Sequence, residues 1–172
     1  NLLLTPGIYT LDKPITVEEK DTIIYGMGLA TLVSTNGNAC MVTSDADGIK
    51  VCGVLFEAGD KQSETLLKVG NEKAEVSHSD NPICFSDVYF RVGGANYKGK
   101  VKNCVTINSN DVIGDNFWVW RADHGDNVGW DMNTAPNGIV INGDNVTMYG
   151  LFVEHFQEYQ TIWNGNGGKL YF

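Results

Sequence analysis

Five segments of the chain can be laid over one another without a gap, and this repeat constrains the fold more than any other feature of the sequence. The segments begin at Asp21, Gly48, Pro82, Asp111 and Asn145, which are 27, 34, 29 and 34 residues apart. They read DTIIYGMGLA, GIKVCGVLFE, PICFSDVYFR, DVIGDNFWVW and NVTMYGLFVE. Self-similarity at a period of about 20 to 50 residues is typical of solenoids and other repeat arrays.

Within each segment, apolar and polar side chains alternate with the period of a β-strand that has one buried face. The sixth position is a turn former in every segment, namely Gly26, Gly53, Asp87, Asn116 and Gly150. After this corner the alternation resumes, and the pairs predicted to point inward are Met27/Leu29, Val54/Phe56, Val88/Phe90, Phe117/Val119 and Leu151/Val153. Each segment is therefore predicted to form two short strands that meet at a tight corner.

A third short apolar strand precedes most segments, at residues 40–42, 66–69, 105–107 and 139–141. Three strands in each coil of 27–34 residues, without helical periodicity, predict an all-β fold, a right-handed parallel β-helix that occupies residues 1–172 as one domain. A β-sandwich is the main alternative, but it does not require one register over five segments. Because the sequence begins and ends within apparent strands, we expect a fragment truncated at both ends, which the remainder of the polypeptide caps.

Composition and charge exclude several classes of function. The formal net charge of −9, from 12 basic and 21 acidic residues, repels a phosphate backbone and argues against nucleic-acid binding. The sequence has neither an apolar run of about 18 residues nor a signal-peptide pattern. The four cysteines lack CxxC spacing and are predicted to be buried free thiols, with Cys40/Cys52 or Cys84/Cys104 disulfides left open.

The tenth position of each segment is predicted to face outward, so that successive coils stack these side chains about 4.8 Å apart. The resulting ladder is Ala30, Glu57, Arg91, Trp120 and Glu154. Charged and aromatic rungs suit a groove that binds a linear polar polymer, with Glu57 and Arg91 as contacts. The alternative is an ordinary charged face on which Arg91 pairs with Glu57.

The loop after the Trp120 rung concentrates aromatic, acidic and glycine residues between positions 118 and 131. Indole faces stack on pyranose rings, and polar side chains bond to hydroxyls. The loop residues predicted to bind sugar are Trp120, Arg121, His124 and Trp130, whereas Trp118 is more simply a cover for the outside of the solenoid. No cofactor is expected; the one metal alternative is calcium bound by Asp123, Asp126, Asn127 and Asp131.

Two acids on neighbouring coils are candidates for catalysis. An inverting glycoside hydrolase requires a protonated acid and a carboxylate that activates water about 6.5–9.5 Å away. Glu154, with Asp123 one coil below, fits such a spacing in principle, and the adjacent His155 is a further substrate contact. The alternative is an uninvolved Glu154 that pairs with Arg121 or His155.

The succession WVWRADH (118–124), GIVIN (138–142), YGLFVEH (149–155) and Tyr159-Gln160 resembles the β-1,3-glucanases of glycoside hydrolase family 55. The resemblance covers about residues 105–172, and it implies inverting cleavage of β-1,3-glucan from a chain end without a metal. It assigns Asp123 and His124 to the ADH segment of the site and Glu154 to the support of water or substrate. The implied general acid is a second glutamate just beyond Phe172. One departure is that residues 125–130 stand where the family pattern has acids.

Three classes of function follow from these patterns. The first is a secreted glycoside hydrolase acting on β-1,3-glucan or a related glucan. The second is a non-catalytic polysaccharide-binding or cell-surface solenoid. The third is a polysaccharide lyase, against which the single arginine among acids in the ladder argues, because a lyase acting on uronates needs a basic groove.

Overall fold

Alternating apolar side chains produce parallel strands that wind into a right-handed β-helix. The computed structural model describes residues 1–72 and 74–172, which form fourteen strands and no helix. The strands are β1 Leu2–Leu4, β2 Ile8–Leu11, β3 Ile15–Val17, β4 Ile23–Ser34, β5 Met41–Thr43, β6 Lys50–Glu57, β7 Ser63–Val69, β8 Cys84–Val92, β9 Val101–Ile107, β10 Ile113–Arg121, β11 Asn137–Ile141, β12 Thr147–Glu154, β13 Tyr159–Trp163 and β14 Lys169–Tyr171. The predicted all-β solenoid is confirmed.

The strands stack into two parallel sheets. One sheet has the order β1-β4-β6-β8-β10-β12-β14, with β2 also paired to β4, and the other has the order β3-β5-β7-β9-β11-β13. In the four later segments the sixth residue is left-handed, with φ of 70° at Gly53, 52° at Asp87, 56° at Asn116 and 62° at Gly150. Each long strand of the first sheet therefore bends at its corner. Its two halves, together with one strand of the second sheet, are the three strands that were predicted for each coil.

The first segment departs from the ungapped repeat. Tyr25 pairs with Cys52, but the next pair is Ala30 with Val54, so three extra residues bulge out of β4. Met27 and Leu29 were predicted to point inward, and this prediction is wrong: they are 43% and 52% exposed. At the slipped register two buried residues replace them, Ala30 opposite Val54 and Leu32 opposite Phe56.

The same slip corrects the ladder of tenth positions. Val33, not Ala30, is the partner of Glu57 on the neighbouring coil. Gly28 and Leu29 both have positive φ, 58° and 56°, which is the backbone geometry of the bulge. An overlay without gaps does not reveal this insertion, because Met27 and Leu29 are themselves apolar and occupy the positions at which inward-facing residues are expected.

Inward-facing side chains stack in columns along the axis of the solenoid. Phe56 and Phe90 are stacked with ring centroids 5.0 Å apart, and Phe90 and Phe117 are stacked at 6.0 Å. All three are buried. Stacked columns of this kind give each coil a close contact with its neighbours, so that the outward-facing rungs are held at a fixed spacing.

The four cysteines are free thiols, and neither pairing left open by the sequence forms. Cys40 and Cys104 are buried, whereas Cys52 and Cys84 are partly exposed. Burial raises the pKa of Cys40 to about 12. This thiol therefore stays protonated and behaves as a small core side chain.

The corner glycines give a matched test of the fold. A Cβ at Gly53 meets the carbonyl oxygen of Gly26 at 2.4 Å, whereas a Cβ at Gly150 meets no atom nearer than 3.8 Å. We expect Gly150→Ala to cost about 1 to 2 kcal/mol from left-handed strain alone. Gly53→Ala should cost more, because the two backbones must also separate. Thermal unfolding of the intact protein measures both, and an equal effect of the two substitutions contradicts this packing.

His78 fastens the connection before the third segment to the side of the solenoid. Its ring is buried, with Nδ1 2.7 Å from Asp47 Oδ1 and Nε2 2.9 Å from Asp45 Oδ1. Burial by itself lowers the pKa of His78. The hydrogen bonds with Asp45 and Asp47 and the charges of these acids raise the pKa by more than burial lowers it, so the net pKa lies above its ordinary value. The imidazolium, which donates from both nitrogens, is therefore the stabilised form.

This geometry predicts a pH-dependent contribution to stability. A raised pKa in the folded state means that the stabilisation from His78 is complete below the ordinary histidine pKa of about 6.5 and is lost as pH rises through the raised value. His78→Gln should therefore lower the unfolding temperature more at pH 5.5 than at pH 9. The measurement is thermal unfolding of both proteins at each pH. A difference that is the same at both pH values would show that the histidine charge plays no part.

Candidate active site

The predicted ladder exists over four coils. Glu57 pairs in register with Arg91, Arg91 with Trp120, and Trp120 with Glu154. Because the strands are parallel and each pair is one coil apart, these side chains form a row along the axis. The candidate site is built around the Glu154 end of this row.

Both carboxylate oxygens of Glu154 have a partner. Oε1 accepts a hydrogen bond of 2.7 Å from the indole Nε1 of Trp118, and Oε2 lies 3.5 Å from Nε2 of His155. Adjacent residues of a strand normally point to opposite faces. His155 departs from this rule because it follows the end of β12 with a φ of 68°, and its ring comes to lie beside the carboxylate.

Asp123 approaches the same nitrogen of the His155 ring as Glu154 does. Its Oδ2 is 3.6 Å from His155 Nε2, and its Oδ1 is 2.8 Å from His124 Nδ1. The hydrogen bond from His124 lowers the pKa of Asp123, and the charges of His155 and His124 add to the effect. Asp123 is therefore a carboxylate at neutral pH.

The two candidate acids are close enough to act on one substrate. The distances from His155 Nε2 limit the separation of Asp123 Oδ2 and Glu154 Oε2 to no more than about 7 Å. This limit lies below most of the range of about 6.5–9.5 Å that separates the acid and the base in inverting hydrolysis. The structure thus brings together Asp123, His124, Glu154 and His155, all four of which the sequence singled out.

A groove of about 340 Å³ lies next to this cluster. Its lining side chains are Leu29, Leu55, Tyr89, Phe90, Arg91, Trp118 and Trp120. The rings of Trp118 and Trp120 are stacked with centroids 5.4 Å apart, and Trp120 also lies 5.1 Å from His124. The groove is therefore walled by aromatic faces and leads to the carboxylates.

Trp118 is the site residue that the sequence reasoning missed. It was interpreted as a cover for the outside of the solenoid, yet its indole nitrogen contacts Glu154 and its ring lines the groove. Two signals were available. Trp118 is two residues before Trp120 and so faces the same side. The eighth position of the segments also reads Leu55, Tyr89, Trp118 and Phe152, an outward-facing apolar row.

Glu57 and Arg91 form the ion pair that the sequence left as the alternative. Arg91 Nη2 donates to Glu57 Oε2 at 2.8 Å. Glu57 is only 2% exposed, so it is placed to hold Arg91 and not to touch a ligand directly. The Arg91 side chain is partly exposed and lines the groove, where it can donate to a hydroxyl.

Arg121 does not face the groove. It is 6% exposed, and its guanidinium donates to backbone oxygens of the loop that follows it and to the carbonyl of His155. The ring of Trp130 lies 5.5 Å from its Cζ and is largely exposed. Trp130 thus remains available as a contact for a ligand, whereas the hydrogen bonds of Arg121 stabilise the loop.

The calcium alternative has little geometric support. Asn127 uses its amide nitrogen to donate to the carbonyl of Ala95 at 2.8 Å, in the loop that follows β8 on the preceding coil. Within residues 1–72 and 74–172, no group of three or more His, Cys, Asp or Glu side chains is arranged to hold a metal ion. Over the same residues, no helix is long and apolar enough to cross a membrane.

Comparison with known proteins gives consistent matches. The model of the LAM55 pectate lyase-like domain matches residues 1–172. An exo-beta-1,3-glucanase of Streptomyces sp. (strain SirexAA-E / ActE) is 47% identical over 172 residues, which are 100% of this chain and 28% of that protein. The chain therefore spans less than a third of the length of this relative.

Two solved structures of sacteLam55A from Streptomyces sp. SirexAA-E superpose with a TM-score of 0.97 at 47% identity. One is a variant in complex with glucose, and the match covers 98% of this chain and 30% of that one. In the other structure, 98% of this chain and 31% of that chain are covered. The family resemblance seen in the ordered motifs is confirmed.

Proposed function

We propose that this chain, which belongs to the LAM55 pectate lyase-like domain family, forms part of a secreted glycoside hydrolase that cleaves β-1,3-glucan from a chain end. The observation that carries the proposal is the convergence of Glu154 and Asp123 on the same imidazole nitrogen, Nε2 of His155, beside an aromatic groove. The relative of known activity is an exo-beta-1,3-glucanase, which supports the choice of substrate.

In this proposal Glu154 orients and activates the attacking water. Its carboxylate is held at one oxygen by the Trp118 indole, and the other oxygen faces His155. A carboxylate fixed in this way can accept a proton from water without first reorganising. Asp123, ionised and hydrogen-bonded to His124, adds negative charge near the oxocarbenium-like transition state and shares the His155 Nε2 contact with Glu154.

Sugar rings are proposed to bind along the aromatic side of the site. Trp118, Trp120 and Tyr89 offer ring surfaces in the groove, and Trp130 offers an exposed indole in the loop that follows β10. Aromatic faces of this kind pack against the apolar C–H side of a pyranose. Arg91, held by the buried Glu57, and the imidazole of His124 supply donors for hydroxyl groups.

The proton donor is proposed to be a second glutamate that follows Phe172 in the longer protein. Inverting hydrolysis requires one protonated carboxyl group besides the carboxylate that activates water. The family resemblance assigns the water-supporting role to Glu154. Asp123 is a poor proton donor, because its lowered pKa keeps it ionised. The chain thus contributes the water side of the site and much of the sugar-binding surface.

Product analysis tests this mechanism. Proton NMR of laminarin digestion by the intact protein should show glucose released from the start with the α-configuration, which then mutarotates. Inversion is expected because the family resemblance implies it, with Glu154 supporting an attacking water instead of attacking the sugar itself. Glucose that first appears as the β-anomer would refute the inverting mechanism, and a ladder of long oligosaccharides would refute chain-end cleavage.

A further inference from the structure

The guanidinium of the buried Arg121 makes hydrogen bonds to backbone carbonyl groups of two different segments of the chain. Its Nε donates to the carbonyl oxygen of Asn133 at 2.8 Å, and its Nη1 donates to the carbonyl oxygen of His155 at 3.2 Å. Its Nη2 lies 3.0 Å from the Gly129 carbonyl oxygen and 3.4 Å from that of Trp130. One guanidinium therefore ties the loop after β10 to the turn after β12, one coil away.

Asn133 completes this arrangement from inside the same loop. It is fully buried, and its Oδ1 accepts from the backbone nitrogen of Gly129 at 3.1 Å. Its Nδ2 donates to the carbonyls of Val92 at 2.9 Å and of Ala122 at 2.8 Å. Because Val92 ends the strand of the preceding coil, Arg121 and Asn133 together connect three successive coils.

The charge of Arg121 is not matched by an acid. Across the described parts of the chain, no Asp or Glu oxygen comes within ion-pair distance of its guanidinium. Its partners are neutral oxygens, and burial lowers the pKa of Arg121. An unpaired buried charge is costly, so a neutral side chain would serve better if the position were needed only for packing. The planar fork of five donors is the property that this position uses.

Both segments that Arg121 joins carry candidate catalytic groups. Asp123 and His124 are two and three residues after Arg121 in the loop that follows β10, and Trp130 belongs to the same loop. His155 accepts a hydrogen bond from Arg121 at its carbonyl and has a left-handed backbone, and its Nε2 lies within 3.6 Å of both Asp123 and Glu154. A change in the guanidinium contacts thus moves one segment relative to the other.

We propose that Arg121 is a positioning residue, which fixes the loop of residues 122–133 against the turn at His155 and so sets the spacing of Asp123, His155 and Glu154. This inference rests on the hydrolase function proposed above. It replaces the sequence-based expectation that Arg121 binds the substrate. A misplacement of catalytic groups by about 1 Å lowers turnover by roughly 100-fold, and binding of the polymer along the groove is less sensitive.

The test is Arg121→Lys in the intact protein, which keeps the charge and loses the fork. We expect kcat on laminarin to fall by roughly 100-fold with little change in KM. Hydrogen exchange of residues 122–133 should become faster, and this readout does not depend on activity. Asn133→Ser is the second variant, and it is also expected to lower kcat and to speed hydrogen exchange of residues 122–133. It replaces Arg121→Lys as the test if the lysine variant does not fold.

Leu67→Ala is the matched control, because Leu67 is buried in the other sheet and its loss destabilises the solenoid without touching the loop. It should lower the unfolding temperature and leave kcat nearly unchanged. Equal losses of kcat in the control and in Arg121→Lys would overturn the positioning role. So would unchanged exchange of residues 122–133 in Arg121→Lys. An inactive unmodified protein would instead refute the hydrolase function, and the exchange readout would still decide the role of Arg121.

Discussion

Replacing Glu154 by glutamine is expected to lower kcat on laminarin by about 100- to 10,000-fold, because a positioned general base contributes that much to a proton transfer. Glutamine has nearly the same size, and its amide oxygen can still accept the hydrogen bond from Trp118. The fold and the groove should therefore be preserved, and KM should change little. Initial rates of reducing-sugar release by the intact protein give both constants.

Glu158→Gln is the control for this substitution. Glu158 is an exposed acid four residues further along the chain, and it lies outside the groove lining. Its replacement makes the same change in net charge, so any effect of charge alone appears in both variants. Full activity of Glu154→Gln would remove Glu154 from the mechanism.

Replacing Trp118 by phenylalanine is expected to lower kcat by roughly 10- to 100-fold. The substitution keeps an aromatic face in the groove and removes the indole N–H that donates to Glu154 at 2.7 Å. A hydrogen bond to a charged group contributes about 1.5–3 kcal/mol, and each 1.36 kcal/mol in the barrier is about tenfold in rate. KM should change less than kcat, since the ring surface remains.

Trp163→Phe offers a matched comparison. The indole nitrogen of Trp163 is buried and has no hydrogen-bond partner among the described residues, so its removal breaks no such bond. This variant should keep nearly full kcat. If the two substitutions reduce kcat equally, the bond between Trp118 and Glu154 has no role in turnover.

The repeat in the sequence was sufficient to predict the fold. Alternation within the segments predicted the inward-facing side chains of the four later segments, and turn formers predicted the left-handed corners at Gly53, Asp87, Asn116 and Gly150. The bulge at Met27 to Leu29 was not predictable by the same means. It adds three residues at a corner, where the alternation is interrupted in every coil.

The sequence predicted which residues form the candidate site better than it predicted what each residue does there. Register and motif order brought Asp123, Glu154 and His155 together. Arg121 was predicted to bind substrate because its donors suit sugar hydroxyls. In the structure those donors are taken by the backbone carbonyls of Gly129 and Asn133. Contacts between a side chain and distant backbone leave no trace in residue type or spacing.

The most direct test of the proposed function is sugar release by the intact protein from laminarin, cellulose and starch, measured in parallel under identical conditions. The proposal predicts rapid release from laminarin, which is β-1,3-linked, and little from the β-1,4- and α-1,4-linked polymers. Binding to laminarin without any release would indicate a polysaccharide-binding solenoid. Release from none of the three polymers, or from all three equally, would contradict the assignment of this chain to a β-1,3-glucan hydrolase.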